Sequence, residues 1–231
     1  RLHAASHAGT SERRLDVVAA ARPTCDGCLM AGLWTVSCLA GGDAPEAALK
    51  AAEDALARHA TELAARPSLR AALLTNRMRL MTRLGRTAEA LTASREFDSL
   101  FPERPEGALL RAEAALAARR GDEAELELAP LAARPPDAAD LRFELLRLSA
   151  AVDHLAGRTA AAVAKYREAT VLAPHEPEAW RALVPLLLGS DPEAALAAAR
   201  RATEIDPDDA AAWAYRAALA TDDREAETAC A

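Results

Sequence analysis

Aromatic side chains are nearly missing from this chain: phenylalanine, tryptophan and tyrosine together make up 3% of it. That excludes a core built on bulky rings, although 51% of the residues are apolar. Alanine supplies most of the apolar count. It is the best helix former, and its small side chain lets antiparallel helices approach closely. Strands are not expected, because no run alternates Val, Ile, Thr and Tyr. Long apolar runs are absent too. The longest, near residues 28–40, is too short and too polar to span a bilayer, and no signal peptide is visible. A net charge of −7 speaks against a general nucleic-acid binder, which would be basic overall. Lysine occurs only at Lys50 and Lys165. Such heavy use of arginine fits a GC-rich bacterial genome.

What is present is a repeat. Tyr166-Arg-Glu-Ala169-Thr-Val-Leu-Ala-Pro174 returns as Ala199-Arg-Arg-Ala202-Thr-Glu-Ile-Asp-Pro207. The closing prolines are 207 − 174 = 33 residues apart, and Trp180 and Trp213 keep the same separation, 213 − 180 = 33. Self-similarity at this period marks stacked helix–turn–helix units. Pro23, Pro67, Pro102, Pro136, Pro174 and Pro207 punctuate the chain at helix boundaries. With so few large side chains, stability must come from neighbouring units stacking on one another.

The best copy resembles the tetratricopeptide family, with Trp180, Leu183, Ala195, Ala202 and Pro207 in the family's signature places. A weaker copy runs from Leu74 through Met81, Gly85 and Ala90 to Pro102, and Ala162, Ala169 and Pro174 end another. Between Ala108 and Pro136 the pattern degenerates, with Leu126 where the packing alanine is expected and Pro130 inside the second helix. The resemblance implies an all-α fold, an α-solenoid of stacked antiparallel helix pairs wound as a right-handed superhelix. It places Ala162, Ala169, Ala195 and Ala202 at buried helix contacts.

The expected organisation is an N-terminal segment over 1–22, holding the last helix of an incomplete repeat, and a solenoid over 23–231. Helices are expected near 10–21, then in pairs near 24–39/44–65, 68–84/87–101, 105–119/122–133, 137–156/159–172, 176–188/191–205 and 208–220/222–230. A start at Arg1 and a short last helix suggest a processed product or an excerpt of something longer.

Thr24-Cys25-Asp-Gly-Cys28 is the first feature with chemistry in it. Thr24 reads as an N-cap, which puts Cys25 in a first helical turn where the thiolate is favoured. Cys28 lies one turn on, and His59 would return to the same level on the next helix. Three soft ligands are one short of a closed zinc site. Three readings stay open: a zinc- or redox-responsive regulator, a structural disulfide, or inert packing thiols. A disulfide would favour the bacterial periplasm over the cytoplasm.

The helix over Ser68–Arg86 carries Arg70, Arg77, Arg79, Arg83 and Arg86 and no acid. Arg79, Arg83 and Arg86 share its polar face, with Asn76 on the same helix. By the resemblance, Arg79 and Arg83 fall near groove-facing places, where they could grip a partner's carboxylate. If so, neither should have a carboxylate partner within the chain. Arg77, on the apolar face, is expected to be snorkelling or salt-bridged.

No phosphate loop, no nucleophile triad signature and no His-Glu-x-x-His appears, so catalysis is not expected. The reading is a non-catalytic scaffold or adaptor, with no cofactor, that holds a protein or peptide partner in its concave groove. Two alternatives are the Cys25/Cys28 regulator and a non-catalytic module of a larger membrane-bound or enzymatic assembly.

Overall fold

The computed structural model describes residues 44–220 together with Leu29 and Val36. Eleven α-helices occupy these residues and no strand does: α1 Pro45–Arg58, α2 Ala60–Ala64, α3 Pro67–Arg83, α4 Thr87–Leu100, α5 Glu106–Ala117, α6 Gly121–Ala133, α7 Ala139–Leu155, α8 Thr159–Leu172, α9 Pro177–Leu187, α10 Pro192–Ile205 and α11 Ala210–Leu219. The fold is an all-α helical repeat. The helices expected at 10–21, 24–39 and 222–230 lie outside the described residues. Helix starts follow the sequence signals. Proline sits in the first turn of α1, α3, α9 and α10, where no N–H is missed, and Asp191 and Asp209 cap α10 and α11 with their carboxylates.

The chain divides into two compact units after Ala118. In the first, α1 and α2 pack on α3, α3 on α4, and both α3 and α4 on α5. Its core gathers Ala48, Leu49, Met78, Met81, Ala90, Phe97 and Leu110. A neighbouring cluster joins Leu29 and Val36 to Ala52, Ala55, Leu63 and Leu73. In the second unit each helix from α6 to α11 packs on the next, around Phe143, Tyr166, Leu183, Val184, Leu187 and a row of alanines. Ala162, Ala169, Ala195 and Ala202 are all completely buried. At those positions the absence of a larger side chain is what permits the close helix approach.

Two details correct the sequence reading. The helix expected over 44–65 is interrupted at His59, whose backbone (φ −112°, ψ 24°) leaves the helical region while its N–H still bonds the Ala55 carbonyl at 3.1 Å. The packing alanine of the degenerate unit is Ala124, fully buried, not Leu126, which is 75% exposed. As expected, Pro130 lies inside α6. The carbonyl deprived of an N–H there is that of Leu126, which is exposed, so water can serve it.

The sequence repeat reappears as a hydrogen bond. Trp180 donates its indole N–H to the carbonyl of Pro174 at 3.2 Å, and Trp213 donates to that of Pro207 at 2.8 Å. Each bond ties the opening of one helix to the proline that closes the helix before it.

The turns that end α3, α5 and α7 share one backbone solution. Gly85 (φ 71°), Arg119 (φ 58°) and Gly157 (φ 74°) stand in the left-handed region two residues past the last helical residue. At Gly85 and Gly157 the full Schellman pair forms. Gly85 and Arg86 donate to the carbonyls of Thr82 and Met81, and Gly157 and Arg158 donate to those of His154 and Asp153. A Cβ would meet nothing within 4 Å at either glycine, so only φ resists substitution. Gly157→Ala should therefore cost about 1 kcal/mol, and Arg119→Gly should gain a similar amount. Urea denaturation followed by circular dichroism reads both. An Arg119→Gly variant less stable than the parent would refute this account of the turn.

Candidate functional site

The candidate face belongs to α3. Its buried side is Ala71, Leu73, Met78, Leu80 and Met81, which leaves Asn76, Arg79 and Arg83 on the polar side at i, i+3 and i+7. Asn76 is half-buried, and among the described residues its amide meets no hydrogen-bond partner. Arg79 does not fit the expectation that it would lack a carboxylate: its Nε lies 3.9 Å from Oε2 of Glu113 on α5. The two side chains are 40% and 29% exposed. Arg83 is exposed and also engaged within the chain. Arg86 precedes α4 and is fully committed. Its Nε donates to Oε1 of Glu89 at 2.7 Å, and a terminal nitrogen donates to Oε2 at 2.6 Å. This hydrogen bond raises the arginine's pKa and lowers that of Glu89. The stripe of three arginines therefore reduces to Asn76, Arg79 and Arg83, with Glu113 beside them.

Glu113 was legible after all, through a signal left unread. It lies 113 − 79 = 34 residues from Arg79, one repeat away. The ion pair of Arg158 with Glu125, at 3.0 Å, spans 158 − 125 = 33. In a stacked repeat, residues one period apart occupy the same place on successive units and become neighbours. Period-spaced opposite charges are thus contact predictions.

The cysteine pair, Cys25 and Cys28, lies outside the described residues. His59 does lie within them, and its Nδ1 is 3.6 Å from Oε2 of Glu62. Among the described residues no group of three His, Cys, Asp or Glu side chains is arranged to hold a metal, and no helix is long and apolar enough to cross a membrane. Arg77 is salt-bridged as its position suggested, with Nε 3.6 Å from Oε1 of Glu53.

Comparison with solved structures places this architecture. TTC0263, described as a thermophilic TPR protein in Thermus thermophilus, superposes with a TM-score of 0.68 at 22% identity, over 83% of this chain and 98% of that one. The chain has the tetratricopeptide-repeat fold. A chain of the Cut9–Hcn1 hetero-tetramer of the APC/C gives a TM-score of 0.62 at 13% identity, covering 94% of this chain but only 45% of that one. At such identities the fold is what is shared. No family model and no curated protein matches the sequence.

Proposed function

We propose that this protein is a non-catalytic scaffold that holds a partner polypeptide against the α3–α5 face of its first unit. The observation that carries the reading is the half-buried Asn76 amide, with no partner among the described residues, beside the partly exposed Arg79–Glu113 ion pair. The N–H and C=O groups of that amide stay open to solvent and uncommitted within the described residues, so a bound main chain, with its own N–H and C=O groups, can pair with them. An ion pair this exposed contributes about 0–1 kcal/mol, so a partner's carboxylate can compete with Glu113 for Arg79. The fold supports the reading, since repeats of this kind present extended surfaces. So does the setting of one structural neighbour, a subunit of a hetero-tetramer.

The test is a comparison of Asn76→Ala/Arg79→Ala/Arg83→Ala with the parent in affinity capture from the source cell, followed by mass spectrometry. The parent should retain one or a few proteins that the variant loses by about tenfold or more, given two charge-assisted contacts. The melting curve should barely move. An unchanged captured set would remove this face from the account, and a large drop in melting temperature would reassign it to structure.

A further inference from the structure

The turn between α5 and α6, Ala118-Arg119-Arg120, is exposed throughout. Arg119 and Arg120 are the first two residues of the second unit. Arg119 stands in the left-handed region (φ 58°) without being glycine, a conformation that its Cβ disfavours. The turns after α3 and α7 are locked by their Schellman bonds. Here, within the described residues, neither Arg119 nor Arg120 donates its backbone N–H.

The helix that follows is lightly held as well. It opens with Gly121, the poorest helix former after proline, and it carries Pro130 in its interior. Of its 13 residues it buries only Ala124 and Leu128. Opening the turn together with the start of α6 therefore breaks few contacts. Exposed turns that open locally are where proteases cut a folded chain.

Two arginines give this place its chemistry. A trypsin-like protease seats the guanidinium before the cut on a carboxylate of its own, so that arginine must be free to leave the chain. Arg119 has no ion pair or hydrogen bond from its side chain among the described residues. Arg120 pairs with Glu123, in a bridge whose side chains are 44% and 55% exposed. The arginines of the other described turns are guarded. Arg66, Arg104 and Arg134 each precede a proline, whose ring crowds the bond to be cut and leaves it no N–H. Arg86 is held by both oxygens of Glu89, and Arg158 by Asp153 and Glu125.

We propose that the Arg119–Arg120 bond is a processing site, at which an arginine-specific endoprotease separates the two units. Water adds across the one amide. Its hydroxyl goes to the Arg119 carbonyl carbon and its proton to the Arg120 nitrogen, which leaves a new carboxylate and a new ammonium group. No core is cut through: the clusters of the first unit end at Leu110, and that of the second begins at Phe143. The α3–α5 face stays whole on the first fragment, and the site does not depend on what that face binds.

Timed digestion of the full chain with dilute trypsin at neutral pH, read by intact-mass spectrometry, tests access to the bond. Within residues 44–220 the first cut should fall after Arg119 and give two fragments that persist while Arg95 and Arg167, inside helices, stay uncut. Arg119→Gln/Arg120→Gln should slow that cut by about tenfold or more with an unchanged melting curve. Incubation in a lysate of the source cell tests the protease. The same fragments should form there, should be suppressed by leupeptin, and should be missing from the double variant. A first cut after Arg86 or Arg158, or collapse into small peptides with no two-fragment stage, would overturn the proposal. So would a lysate that leaves the Arg119–Arg120 bond intact.

Discussion

Phe97→Ala should destabilise the first unit by about 3–5 kcal/mol, the cost of emptying a buried ring site. The interest of the prediction is that the repeat pattern argues the other way. Counting seven residues on from the packing alanine gives Phe97 from Ala90, Leu131 from Ala124 in the degenerate unit, and Ala169 from Ala162 and Ala202 from Ala195 in the two regular ones. Alanine is thus the occupant in the two units that keep the pattern best, and a consensus argument from them makes Phe97→Ala neutral or favourable. The structure opposes it. Phe97 is 1% exposed, shares a cluster with Met78, Met81, Ala90 and Leu110, and meets the Phe101 ring at 5.1 Å between centroids. The helices around it are spaced for a ring, whereas those around Ala169 and Ala202 are spaced for a methyl group. The reciprocal Ala202→Phe should therefore overpack, losing about 1–3 kcal/mol. Chemical denaturation of both variants, followed by circular dichroism, checks the pair. A Phe97→Ala variant within about 1 kcal/mol of the parent would restore the consensus argument.

The limit of sequence reading shows at particular residues. Helix pairs were legible because proline and the small-residue period are both backbone requirements, and they place α3, α4 and α7–α11 within a few residues. Ala124 was missed because Leu126, two positions away, looks like a packing residue on hydrophobicity alone. The start of α6 was placed within one residue, at 122 against Gly121, and Ala124 stands three residues into the helix, as Ala90, Ala162 and Ala195 do in α4, α8 and α10, so counting from the helix start would have found it. A side chain says little about its own φ unless it is glycine or proline. At the candidate face, the positions of Arg79, Arg83 and Asn76 on α3 were legible. The partners of Arg79 and Arg86 were not, because helical periodicity within one segment does not show what the next unit brings alongside. Spacing by one full period would have supplied Glu113.

Asp153→Asn should weaken the second unit by about 1–3 kcal/mol at neutral pH and by almost nothing near pH 2. Asp153 stands near the end of α7, and its side chain is 6% exposed. It accepts from Nε of Arg158 in the following turn at 2.6 Å and lies 2.6 Å from Nζ of Lys165 on α8. One carboxylate thereby joins both helices and the turn between them. Burial pushes its pKa up, but the bonds from Lys165 and Arg158 outweigh burial, and the net direction is down. A carboxylate with a lowered folded pKa contributes stability that is fully present above the unfolded value of about 3.9 and is lost as pH falls through the folded one. The parent should therefore lose stability more steeply than Asp153→Asn as pH falls below about 4, and the two curves should converge. The neutral-pH loss is set below the several kcal/mol typical of a fully buried pair because Arg158 and Lys165 remain 43% and 39% exposed, so water can serve them once the carboxylate is gone. Urea melts from pH 2 to 7, followed by Trp180 and Trp213 fluorescence in a Trp34→Phe background, give both curves. Parallel curves across that range would mean that Asp153 does not carry its charge into the folded state, and the staple between α7 and α8 would have to be packing alone.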